Sequence, residues 1–158
     1  MATRTLLTVE DFVRLPESVG TQDVRYELVE GELFTMSPGM LPYSLIRDKL
    51  LFVLMSFLQD RKLGTVVSEQ AFQLSERTVR VPDIALVRAG RQLATDRPIE
   101  DAPDLAVEVI SPRNSPREID RRVSDYFAAS GCGWFIPSTG RSTFTGSQGS
   151  LAARLTSN

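Results

Sequence analysis

Two acidic residues sit where a carboxylate is either costly or well presented. Asp83 follows proline in Val81-Pro82-Asp83 at the start of a strand-like run. Glu108 interrupts Leu105-Ala-Val-Glu-Val-Ile110, which is otherwise apolar. A carboxylate between Val107 and Val109 in a central strand is expensive unless it is paired or metal-bound. An aspartate after proline also serves turns, and Glu108 could snorkel from the strand end or pair with an arginine. If the two strands pair, the carboxylates face each other at one end of a sheet and offer oxygen ligands to Mg²⁺ or Mn²⁺. Such an ion polarises a phosphodiester and makes hydroxide from a bound water. A backbone carbonyl near Val109 could add a ligand.

The rest of the composition narrows the chemistry further. The chain has no histidine and one cysteine, Cys132. Serine-histidine and cysteine-histidine catalysis, imidazole metal sites, multi-cysteine zinc sites and internal disulfides are therefore excluded. A net charge of −2 argues against a uniformly basic surface. Arg113, Arg117, Arg121 and Arg122 form the best local basic patch, or else a solvated helix face. The longest apolar stretch, near Leu50 to Leu58, is too short to span a bilayer. The N-terminus lacks an export signal, so a cytoplasmic protein is expected.

These residues need elements to position them. Thr8 and Asp11 resemble a capping box before Phe12, Val13 and Leu15. Arg25 to Val29 and Glu32 to Met36 read as a hairpin around Glu30-Gly31. Pro42 reads as a break, and from Tyr43 to Asp60 the residues Ile46, Leu50, Val53, Leu54, Phe57 and Leu58 form a helical stripe. Thr65 to Leu74 and Val79 to Val87 each read as one strand, the second with Pro82 near its start or at a bulge. The stretch from Arg88 to Pro103 reads as irregular. Leu105 to Ile110 is the strongest strand, covered on both faces. A helix follows from Pro116 to Ser130, with Ile119, Val123, Tyr126 and Phe127 inward, and Trp134 begins a last strand. The serine-, threonine- and glycine-rich stretch from Pro137 reads as irregular.

Several of these segments, in this order, resemble one family. Arg25-Tyr-Glu-Leu-Val-Glu-Gly-Glu-Leu33, Met36-Ser-Pro38, Val81-Pro-Asp83, Pro103-Asp-Leu-Ala-Val-Glu-Val-Ile-Ser-Pro112 and Tyr126-Phe-Ala-Ala-Ser-Gly131, with Trp134, are similar to the Uma-type restriction endonuclease family. That family is a branch of the PD-(D/E)XK nuclease superfamily, and the resemblance runs from about Leu7 to Ile136. It implies an α/β (α+β) restriction-endonuclease-like core, a mixed central β-sheet flanked by helices, with an N-terminal β-hairpin. The expected domain is 1–136, with a divergent tail over 137–158. The resemblance also implies Asp83 and Glu108 as ligands of Mg²⁺ or Mn²⁺ and DNA as partner. Glu27 either completes the metal site or is an exposed hairpin carboxylate. Homodimerisation suits nucleases that cut two strands, but no residue of the sequence marks an interface.

The chain departs from the family at the lysine. The superfamily position two residues after the glutamate is Ile110 here, and the helix position used by the Uma-type branch is Arg122. The only lysines are Lys49 and Lys62. Arg122 borders the inward stripe of its helix and could hold a phosphate or balance the carboxylates. A guanidinium stays protonated and is a poor general base. Lys49, at the edge of the first long helix's stripe, could substitute for the missing amine. Two function classes therefore stand: a metal-dependent endonuclease-like enzyme with reduced activity, and a catalytically silent nucleic-acid-binding or regulatory module. A protein-interaction scaffold is a third.

Overall fold

Most of the expected elements form, but two of the strands divide, and those divisions build the site. The computed structural model describes residues 6–16, 18–19, 22–36, 39–129, 133–137 and 143–145. Thr8 caps α1 (Val9–Val13), and its side chain and that of Asp11 accept each other's backbone N–H in the expected capping box. Strands β1 (Ser18–Val19) and β2 (Gln22–Asp23) make a small antiparallel pair. Strands β3 (Tyr26–Val29) and β4 (Glu32–Thr35) form the hairpin expected around Glu30-Gly31. Both turn residues have positive φ, 52° and 84°, the twist that a tight antiparallel hairpin requires.

Helix α2 (Leu41–Leu58) begins before the expected start, with Pro42 inside its first turn. There a missing N–H costs nothing, so Pro42 opens the helix instead of breaking the chain. The expected stripe is rotated: Leu50, Leu54 and Leu58 are half-buried, whereas Val53 and Phe57 face solvent.

The run expected as one strand from Thr65 to Leu74 is two: β5 (Gly64–Ser68) and β6 (Phe72–Ser75), which lie in different sheets. Glu69, at φ 51°, turns the chain between them. The run from Val79 to Val87 divides likewise into β7 (Thr78–Arg80) and β8 (Ile84–Arg88). Pro82 lies at the crossing, where it has no ladder hydrogen bond to donate. The stretch expected to be irregular after Arg88 includes a short strand, β9 (Ile99–Glu100). Then follow β10 (Leu105–Ile110) and α3 (Pro116–Ala128), the latter capped by Ser115 and Glu118. Strand β11 (Gly133–Pro137) comes next. The tail expected to be irregular includes β12 (Thr143–Thr145), antiparallel to β11; the remainder of that expectation lies outside the described residues.

The expected α/β architecture, mixed β-structure with flanking helices, is present, and its main strands form two mixed five-stranded sheets, ordered β12-β11-β10-β8-β5 and β4-β3-β7-β6-β9. Strand β10 runs parallel to β11 and β6 parallel to β9. The chain crosses between the sheets at Glu69 and again at Pro82-Asp83. One core cluster, Phe72, Ala85, Val87 and Ile99, joins the two sheets, and another, Val9, Leu28 and Val79, seats α1 on the second sheet. A third packs Ala106 against Tyr126, with Ile119 and Val123 beside them, and so seats α3. Among the described residues no helix is long and apolar enough to cross a membrane.

Candidate active site

Antiparallel pairing of β8 with β10 sets Ile84 opposite Val107 and Ala85 opposite Ala106. Continuing that ladder by one residue brings Asp83 to Glu108, on the same face as Ala85 and Ala106 because paired residues share a face. The Val109 N–H donates to Asp83 Oδ2 at 2.6 Å. Both carboxylates line one cavity of about 480 Å³, together with Glu27, Arg47, Arg113 and Arg122. The strand pairing on which the juxtaposition of Asp83 and Glu108 depended is therefore present.

Glu27 reaches the same cavity from β3, whose alternation sends Leu28 into the core and Glu27 the other way. It is buried, not an exposed hairpin carboxylate. Both of its oxygens are engaged: Oε1 accepts from the Val81 N–H at 2.9 Å, and Oε2 accepts from Arg80 at 2.9 Å and Arg122 at 2.8 Å. Arg122, from α3, donates its other terminal nitrogen to Glu108 Oε1 at 2.8 Å. The Tyr126 hydroxyl donates to the same oxygen at 2.9 Å. One guanidinium thus bridges two acidic residues, and α3 supplies both groups that fix Glu108.

Sequence reasoning does not single out Arg80 or the hydroxyl of Tyr126. Arg80 is buried, and it pairs with Asp125 as well as Glu27, at 2.6 Å and 2.9 Å. The signal was the one that marks Glu108: a charge inside an apolar strand, here between Val79 and Val81. Arg47 and Glu69 form a second pair at the cavity wall, at 2.7 Å, with Arg25 on the other Glu69 oxygen at 2.6 Å. Lys49 lies on the exposed side of α2 and does not line the cavity.

The electrostatics follow from burial. Removal from water pushes Glu108 up to about 7, with Asp83 and Glu27 adding to the rise and Arg122 and the Tyr126 hydroxyl opposing it. Burial likewise raises Asp83, against the Val109 N–H and the charges of Arg122 and Arg47. Burial alone would lower Arg122, but Glu108 and Glu27 outweigh it and hold the guanidinium above its ordinary value. Burial and the Glu108 carboxylate raise Tyr126, so its hydroxyl remains a donor.

Among the described residues no group of three or more acidic or cysteine side chains is gathered closely enough to hold an ion. A smaller donor set fits. Asp83 Oδ1 and Glu108 Oε2 have no hydrogen-bond partner among those residues. Mg²⁺ commonly takes one or two protein carboxylates and completes its octahedron with water and phosphate oxygens.

The architecture is that of a nuclease fold. It is similar to a crystal structure described as "a putative nuclease belonging to DUF820" from Anabaena variabilis, with a TM-score of 0.75 and 20% identity over 90% of this chain and 81% of that one. The family model Uma2, described as "Putative restriction endonuclease", matches residues 9–142, and the chain belongs to that family. The search of curated proteins gave no match.

Proposed function

We propose that the protein is a nuclease-like enzyme, dependent on Mg²⁺ or Mn²⁺, that acts on DNA phosphodiester bonds. The observation that carries this reading is the pairing of β8 with β10, which brings Asp83 and Glu108 to one cavity, each with an oxygen to spare. A divalent ion held there by Asp83 and Glu108 would polarise the phosphodiester and make a bound water more acidic. Asp83 is oriented by the Val109 N–H and Glu108 by the Tyr126 hydroxyl, while Arg122 fixes Glu108 but competes with an ion for its charge. Glu27, with both oxygens engaged, anchors Arg80 and Arg122 and so positions the cavity wall. Arg122 is a candidate to neutralise phosphate charge, and among the described residues no lysine lines the cavity to act as a base.

Calorimetric titration with Mn²⁺, alongside plasmid cleavage, tests the reading. Binding weakened at least about tenfold by Asp83→Ala or Glu108→Ala is expected, a loss of about 1.4 kcal/mol or more. No binding at millimolar Mg²⁺ or Mn²⁺ rejects it.

The bridging guanidinium favours a second reading. Arg122 already supplies Glu108 and Glu27 with positive charge, as a bound cation would. A catalytically silent nucleic-acid-binding module would then show salt-sensitive DNA binding without cleavage in any divalent metal. Metal-dependent cleavage abolished by Glu108→Ala would eliminate it.

A further inference from the structure

Helix α2 is apolar on both sides, and the fold covers only one of them. None of its residues is buried. Leu41, Leu45, Phe52 and Met55 are exposed by 70%, 60%, 70% and 54%. With Asp48 they follow one another at intervals of four, three, four and three, the spacing of a helix–helix seam. Val53 and Phe57 flank the seam and are also exposed. At ~150–250 Å² for each aromatic side chain and somewhat less for each aliphatic one, scaled by exposures of more than half, these six present roughly 600 Å² of apolar surface. That is at the top of the ~300–600 Å² patch usual on a monomer and approaches the ~800 Å² per partner of a stable interface.

We propose that this face is a homodimer contact in which the α2 helices of two copies pack antiparallel across a two-fold axis near the helix middle. The charge pattern identifies a second copy as the occupant. The exposed side of α2 carries two charged residues, Asp48 and Lys49, adjacent and opposite in sign at its centre. An isologous contact places each patch against itself. An antiparallel pairing then sets Asp48 of each subunit within reach of the partner subunit's Lys49 and lays Leu45 against the partner's Met55. Arg47 reaches Glu69 at the cavity wall and also pairs with Asp48 Oδ1 at 2.9 Å, which leaves Asp48 Oδ2, without a partner among the described residues, for the contact. The contact uses none of the proposed metal ligands, so it stands or falls apart from the nuclease reading.

Sedimentation equilibrium of the metal-free full chain tests it. A dimer at micromolar concentration is expected, with Leu45→Glu and Phe52→Glu each raising its dissociation constant at least about 100-fold. Both side chains are exposed in the single chain, so the variants should keep its circular dichroism. Asp48→Lys sets lysine against lysine and should weaken the dimer about tenfold, while adding Lys49→Asp should restore it. A monomeric wild type overturns the proposal, as does a dimer indifferent to Leu45→Glu and Phe52→Glu. Failure of the double exchange to restore the dimer overturns the antiparallel arrangement.

Discussion

Glu108 lies among Asp83, Glu27, Arg122 and Tyr126 with little water to screen any of them, so its protonation reports on the whole cavity. The folded-state value of about 7 lies above the ordinary 4.5. The native state therefore binds more protons than the unfolded chain between those values, and this group's contribution to stability declines as pH rises from about 4.5 to 7. On the proposed reading a divalent ion would compete with the same proton, so Mn²⁺ affinity should increase through that window and level off above it. Calorimetry at several pH values checks this; affinity independent of pH would place the ion elsewhere. Arg122 offers a sharper test. In Arg122→Lys a single ammonium cannot span Glu108 and Glu27 as the guanidinium does. Thermal unfolding should show a loss of about 2 kcal/mol, while Mn²⁺ binds more tightly because Glu108 is released. Unchanged Mn²⁺ affinity would show that the bridge does not restrain the site. Arg80→Ala should cost more, about 3–5 kcal/mol, because it leaves buried Glu27 and half-buried Asp125 short of a counter-charge.

The site depends on two places where the chain leaves one sheet for the other, at Glu69 and at Pro82-Asp83. Both were hard to read in the sequence for the same reason. Strand-forming, largely apolar residues occur on both sides of each break, in β5 and β6 and in β7 and β8, because each half is a real strand; composition alone does not tell which sheet a strand joins. Pro82 signalled a break, and Glu69 gave no composition cue for its positive φ. By contrast, the capping box at Thr8, the Glu30-Gly31 hairpin and β10 were legible because local chemistry decides them. Glu108 was visible as a charge in an apolar strand, whereas Glu27 gained its meaning only from Arg80 and Arg122, which lie far along the chain. The hairpin turn can be tested directly. Gly31 has φ 84°, and a Cβ there would lie 2.7 Å from Leu6 Cβ. Its N–H also donates to the Arg77 carbonyl at 2.8 Å. Gly31→Ala should therefore lower stability by about 1–3 kcal/mol in chemical denaturation, and a loss below the error of the method would mean the turn relaxes freely.

At the scale of the whole molecule, a net charge of −2 leaves little long-range attraction for a polyanion. On the proposed reading, contact with DNA comes from the few arginines at the cavity rather than from the surface at large. Arg113 and Arg121 line the cavity together with Arg47 and Arg122. Arg47, Arg121 and Arg122 are already paired with carboxylates, Arg121 with Glu30 at 2.8 Å. Arg113 has no acidic partner among the described residues and is exposed, so it is the cation best placed to meet a phosphate first. DNA affinity should fall only shallowly with salt, with a logarithmic slope of about −2 to −3, as for two or three phosphate contacts. Arg113→Glu should weaken binding to all sequences alike and reduce the slope by about 1. Fluorescence anisotropy of a labelled duplex across a salt series provides both numbers. Unaltered affinity and slope in Arg113→Glu would mean that DNA does not approach through this cavity.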